Sequence, residues 1–156
     1  MGSSINLFPI KSLIFLTNRV GRQLASLALE DMEFEGWKPR GTHMAILADL
    51  YIKDGQRQQD LAISSIKDKG TIARGLNALE KEEFVVRETN PSDRRNKLIF
   101  LTDKALRFEK YFNPILIRVM QEAARDIAPK DLAVCTEVLQ RIYQNLQNQL
   151  TIPEKQ

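Results

Sequence analysis

One cysteine, Cys135, and one histidine, His43, serve a chain of 156 residues. A lone cysteine permits no intrachain disulfide, so nothing here points to an oxidising compartment. No Cys/His metal spacing is present, no glycine loop that would cradle phosphate, and no Ser-His-Asp set for the one histidine to serve. An enzyme, a metal or a resident cofactor is therefore not expected. No stretch approaches 18 apolar residues in a row, so no membrane span is expected either. The apolar pieces at 5–10 and 13–16 are interrupted by Lys11, and no small-residue cleavage site follows. A signal peptide is not expected, and the expected location is cytoplasmic. Excess charge is also scarce: the formal net charge is +3 and the pI near 9.1. That permits a polyanionic partner without requiring one, so the clustering of cations matters more than their sum.

What is present is helical periodicity. Over about 5–33, apolar residues recur at Ile10, Leu13, Ile14, Val20, Leu24, Leu27 and Ala28, the 3.6-residue spacing of one long helix. Gly36-Trp37-Lys38-Pro39 ends it. A second helix is predicted over 40–52 and a short one over 58–63. A turn at 64–67 leads to a fourth helix over 69–82, with Asp68 placed to accept orphan amide hydrogens of its first turn. The texture then turns β-prone at 84–88 and again at 97–101. Asn90-Pro91-Ser92-Asp93 supplies turn chemistry between them, so a hairpin with a six- to eight-residue turn is expected. Thr102 caps a helix with Phe108, Phe112, Ile115 and Val119 on one side and Pro114 inside, where a bend is expected. Pro129 opens the last helix, which carries Leu132, Cys135, Leu139, Ile142, Leu146 and Leu150.

The expected fold is therefore mainly α with a small β-hairpin. The middle, 40–102, is read as a winged helix-turn-helix. The outer helices, 5–33 and 103–151, carry more apolar surface than one small core can cover. A second copy of the chain is the simplest cover, so they are read as a dimerisation region.

On a helical wheel, Ile72, Leu76 and Leu79 face the core. Gly70, Arg74, Asn77 and Lys81 fall on the opposite side. Such a face suits a DNA major groove, where arginine forks onto guanine, asparagine onto adenine, and lysine reaches phosphate. It also describes an ordinary solvated helix face. Arg94 and Arg95 at the hairpin, with Lys97 just after, favour the groove: nothing buried could neutralise both arginines, whereas phosphate or a narrow minor groove could. Asp93 is read as a bidentate clamp on one of them. A winged helix that binds protein and not DNA is the alternative.

The stretch "DRRNKLIFLTDKA" resembles the signature of the MarR family of bacterial transcription regulators, an Asp-x-Arg followed by Leu-Thr, here Asp93, Arg95, Leu101 and Thr102. "KGTIARGLNALEKEEFVV" is similar to that family's recognition helix and first wing strand. Thr42-His43 and Ala105 lean towards its SlyA branch. The chain departs from the pattern at Glu82-Glu83, where many members carry glycine, which predicts loss of a tight turn before Phe84. The resemblance implies a homodimer on a palindromic operator, usually a repressor, often relieved by a small aromatic ligand or by cysteine oxidation. It places base-facing contacts near Thr71 and Arg74, and the wing arginine at Arg94 or Arg95. The expected DNA-binding set is thus Lys69, Gly70, Thr71, Arg74, Asn77, Lys81, Asp93, Arg94, Arg95 and Lys97.

Three residues have competing readings. His43 and Trp37 border the expected effector cleft and are candidates for ligand binding, although packing roles are the commoner fate of such residues. Cys135 lies on an apolar side and is expected to be an inert core thiol. The family's peroxide sensors use a cysteine near the N-terminus, and this chain has none there.

Overall fold

A computed structural model describes residues 12–65 and 67–150. The expected beginning of the first helix, at 5–11, lies outside the described residues. Six helices and three strands follow in the order α1 (Leu13–Leu29), α2 (Gly41–Ile52), β1 (Gln56–Arg57), α3 (Gln58–Ser64), α4 (Lys69–Lys81), β2 (Val85–Asn90), β3 (Asp93–Leu101), α5 (Asp103–Ala123) and α6 (Pro129–Leu150). The three strands form an antiparallel sheet in the order β1-β3-β2. With α2, α3 and α4 packed behind it, this is a winged helix-turn-helix. Strand β1 has no counterpart in the sequence pattern: two residues are too few to show alternation.

The apolar positions end up inside as their spacing requires. Ile46, Leu47, Leu50, Leu61, Ile72, Leu76, Leu79, Phe84, Ile99 and Phe108 are buried, with Phe112 and Val119 beside them. Helices α2 and α4 cross so closely that a Cβ on Gly75 would lie 2.7 Å from Ile46 Cδ1 and 3.2 Å from Thr42 Cγ2. Only a glycine fits that crossing without displacing a buried isoleucine. Tyr51 ties α2 to α5, its hydroxyl donating to the Ala105 carbonyl at 2.7 Å. Burial there, with a smaller contribution from Glu109, raises the hydroxyl's pKa far above its ordinary value.

The caps read from the sequence are in place. Asp68 accepts the Thr71 N–H at 2.8 Å, and Thr102 Oγ1 accepts the Ala105 N–H at 3.3 Å. Helix α5 runs through Pro114 without interruption, and Pro129 is the first residue of α6.

Four expectations are corrected. The turn before Phe84 is tight despite the missing glycine. Glu83 takes it at φ +61°, with its N–H donating to the Glu80 carbonyl at 3.0 Å and the Phe84 N–H to the Leu79 carbonyl at 2.8 Å. That paired pattern is a Schellman ending, with a glutamate in the left-handed seat. The hairpin turn is also shorter than expected. Strand β2 reaches Asn90 and β3 starts at Asp93, so only Pro91 and Ser92 lie between. Arg94 and Arg95 sit not in the turn but in β3, within a bulge: one step from Thr89 to Asn90 spans Lys97 to Asp93 on the partner. Third, Asp93 is not a clamp on a guanidinium. Its Oδ1 accepts the Arg95 backbone N–H at 3.1 Å and its Oδ2 accepts Asn96 Nδ2 at 2.7 Å, so it holds the bulge together. Last, Cys135 is exposed. None of the described side chains of α6 is buried, because no other element among the described residues covers its apolar stripe.

A left-handed glutamate is strained by its Cβ, and glycine is not. Glu83→Gly is expected to raise stability by about 1 kcal/mol, less whatever glycine's extra freedom in the unfolded chain takes back. Urea denaturation of the two proteins measures it, and a destabilised variant would show that Glu83 holds the turn through its side chain.

Candidate nucleic-acid interface

Helix α4 presents its polar side outward. Lys69, Gly70, Arg74, Asn77 and Lys81 are exposed and Thr71 is half-buried, while Ile72, Gly75, Leu76 and Leu79 are turned inward. The first turn is organised by Asp68. Its Oδ1 takes the Thr71 N–H and its Oδ2 the Thr71 hydroxyl, while Arg74 Nη2 donates to Thr71 Oγ1 at 3.0 Å. These bonds hold the Asp68 carboxyl below its ordinary pKa, led by the Thr71 hydroxyl. Asn77 is not free. Its Oδ1 accepts from Arg87 Nη2 at 2.8 Å, and Arg87 Nη1 pairs with Glu80. Arg87 belongs to β2, so one guanidinium pins the wing to two successive turns of the recognition helix. Sequence reasoning missed Arg87. The signal available was weak: an arginine in a strand, ten positions from its partner, on an element of different period.

Between the N-terminal ends of α3 and α4 and the wing lies a cleft of about 330 Å³. It is lined by Arg57, Gln58, Gln59, Lys69, Arg87, Asn96, Lys97 and Ile99. Four cations border it. Arg57 is paired with Asp60 and Arg87 with Glu80, while neither Lys69 nor Lys97 has an ion pair among the described residues. The structure thus brings Lys69 and Lys97 of the expected set together. Lys81 lies at the far end of α4. Arg95 is exposed on the β3 bulge, and Arg94 lies on the same bulge.

A second cleft, about 430 Å³, opens between α1, α2 and α5 and is almost wholly apolar. Leu24, Ala28, Met44, Ala48, Phe112 and Met120 are among its walls. Trp37 and His43, expected near an effector cleft, do not line it. Trp37 is buried against Phe84 at 4.1 Å and stacks on His43 at 5.5 Å. His43 Nδ1 accepts the Arg40 N–H at 3.3 Å, which fixes its proton on Nε2 and makes it part of the α2 cap.

A basic-bordered winged helix whose polar helix turns cations and amides outward has the architecture of the winged-helix transcription regulators. Residues 41–97 match the model of the MarR family. The chain is 25% identical to the HTH-type transcriptional regulator MhqR of Bacillus subtilis (strain 168), over 85% of this chain and 90% of that one. Among solved structures, a MarR family regulator from Listeria monocytogenes complexed with 26mer DNA superposes with a TM-score of 0.75. It is 18% identical and covers 90% of this chain and 93% of that one. The PcaV transcriptional regulator from Streptomyces coelicolor, in complex with its natural ligand, superposes at 0.68. It is 22% identical and covers 92% and 98%. The match to the MarR family thus spans α2 to the wing, the part of the chain that holds the candidate interface.

Burial, then the nearby Arg40 charge, lowers the His43 pKa below its ordinary 6.5, against a smaller opposing pull from Glu82. The unfolded chain therefore binds a proton that the folded chain refuses. The contribution of His43 to stability is thus present above pH 6.5 and is lost as pH drops below it. Urea midpoints between pH 7.5 and 5.5 should show this decline, and His43→Gln should flatten it. An equal decline in the variant would assign the loss to other groups.

Proposed function

We propose that this regulator is a homodimer that binds a palindromic operator and represses transcription until a small apolar effector releases it. The carrying observation is the outward polar face of α4 beside a cleft bordered by four cations. In this reading Arg74 and Thr71 meet base edges, Asn77 meets a base edge with its amide oriented by Arg87, and Gly70 lets the backbone approach. Lys69, Lys81 and Lys97 meet phosphate. Arg94 and Arg95 meet backbone or minor groove, on a bulge that Asp93 holds in shape. Work on chromosomal DNA places the protein in the cytoplasm.

Dimerisation is supported by apolar surface that the described residues leave uncovered. Ile14 is 74% exposed, Val134 59% and Leu146 53%. Residues 13–29 and 103–150 would form the shared helical region and 40–102 the DNA-binding one. The apolar cleft between α1, α2 and α5 supports an effector with an aromatic or alkyl body, since its walls offer few polar partners. It is the better candidate site, and Trp37 and His43 would act through α2 packing.

The DNA reading is tested by titrating a selected operator duplex and a scrambled one at several salt concentrations. Arg74→Ala is expected to weaken operator binding by about 1–3 kcal/mol and to relax base choice at one position per half-site. Replacing Arg94 and Arg95 together with alanine should weaken both duplexes. The slope of log affinity against log salt should fall by roughly one unit per lost phosphate contact. Wild-type affinity and slope in the wing variant would favour the protein-binding alternative. The same titration with millimolar aromatic acids tests the effector, and unchanged affinity removes that class.

Sedimentation tests the dimer. Val20→Asp with Val138→Asp places charge on exposed faces of α1 and α6 and disturbs no buried residue. The double variant should run as a folded monomer, and an unchanged dimer mass would refute this interface.

A further inference from the structure

The first turn of α4 contains a hydrogen-bond relay whose direction is set by which atoms can donate. Both oxygens of Asp68 are used on Thr71: Oδ1 by its backbone N–H and Oδ2 by its hydroxyl. A carboxylate has no hydrogen to give, so the hydroxyl must spend its one proton on Asp68. What remains on Thr71 Oγ1 is acceptor capacity only. Arg74, which can only donate, fills it through Nη2 at 3.0 Å. The other arm of the guanidinium lies along Gly70, where a Cβ would stand 3.4 Å from Nη1 and 3.2 Å from Asp68 Oδ1. No ion pair competes for Arg74 among the described residues.

We infer that Asp68 is a positioning residue for base reading: by taking the Thr71 proton it makes Thr71 an acceptor, and Thr71 then holds the Arg74 guanidinium ready for a guanine edge. This rests on the DNA-binding function proposed above. A carboxylate would repel phosphate, so a contact with the DNA backbone does not explain Asp68. Its visible role is the helix cap, and the relay adds a second role that the cap does not need. Holding a long side chain before the partner arrives removes part of the ordering cost of binding, an effect of roughly threefold to tenfold in affinity.

The two roles separate in Asp68→Asn. Asparagine caps helices as well as aspartate does. Its Oδ1 keeps the Thr71 N–H, which puts Nδ2 against the Thr71 hydroxyl. Nδ2 donates, so Thr71 Oγ1 spends a lone pair on residue 68 and its proton, no longer held there, is free to turn towards the donors of Arg74. The guanidinium is then held less firmly while the helix stays. The experiment uses a duplex that the wild type selects from a random-sequence pool, together with its single-base variants. The informative base pair is the one where Arg74→Ala abolishes the preference. There, Asp68→Asn should lower the guanine preference roughly threefold to tenfold, with an unchanged melting midpoint. Affinity for scrambled DNA should hold or rise, since a negative charge has gone. In a Thr71→Val background, Asp68→Asn should change the preference no further.

A wild-type preference in Asp68→Asn overturns the relay, and so does an equal loss with and without the Thr71 hydroxyl. Should Asp68→Asn melt early, Asp68→Gly takes its place. Glycine is tolerated at a helix N-cap and offers the Thr71 hydroxyl no side-chain acceptor, so the same loss is expected. If the wild type selects no duplex at all, the DNA-binding function fails first, visibly and before any substitution is made.

Discussion

The knot at Phe84 and Thr102 is what the rest of this molecule hangs from. Within three residues the recognition helix ends, the wing begins and Phe84 turns inward. At the same place β3 returns and α5 starts. Thr102 donates its hydroxyl to the Glu83 carbonyl and its N–H to the Phe84 carbonyl, and the same hydroxyl oxygen caps α5. The Phe84 ring lies against Trp37 at 4.1 Å and meets Phe108 edge-on at 5.6 Å. Lys104 stands 4.8 Å above it. One threonine and one phenylalanine therefore set the angles between helix, wing and outer helix together. None of the three can be re-aimed alone.

The wing is held a second time further out. Arg87 grips Asn77 and Glu80, so β2 and α4 are joined at both the knot and mid-helix. Two fixed points define an orientation, whereas one would leave a hinge. In the DNA-binding reading proposed above, this fixes the separation of the groove and backbone contacts before binding. The basic cleft lies in the angle so formed, which is why Lys69 from the helix and Lys97 from the wing border the same space.

Much of this was legible in the sequence, and the failures share a cause. The sequence pattern located the six helices and periodicity the buried faces of α4 and α5, and Asp68, Thr102 and Pro129 marked helix starts, because each depends on residues within one or two turns. The shape of the wing was not legible. Arg94, Arg95 and Asn96 look like turn residues and are bulge residues, a distinction made by what pairs across the strand. Asp93 next to two arginines looks like an ion pair, yet its carboxylate goes to a backbone amide and an asparagine. The left-handed Glu83 breaks the propensity rule because tertiary packing of Phe84 demands the turn whatever residue occupies it. Cys135 was expected in a core and is exposed, since a stripe at helical spacing states that a face is apolar and says nothing about what covers it. Arg87 escaped notice because its partners lie on an element of different periodicity.

The crossing of α2 over Gly75 has a mechanical meaning. Where a single methyl group finds no room, two helices have no slack between them. One side of α2, through Met44, Ala45 and Ala48, walls the apolar cleft, and Ile46 on the same helix touches α4 at Gly75. Tyr51 anchors the end of that helix to α5. In stiffness terms, α2 is a strut loaded at one face and bearing directly on the recognition helix at another. A displacement of a fraction of an ångström at the cleft wall has no cushion to absorb it and arrives at α4 as displacement.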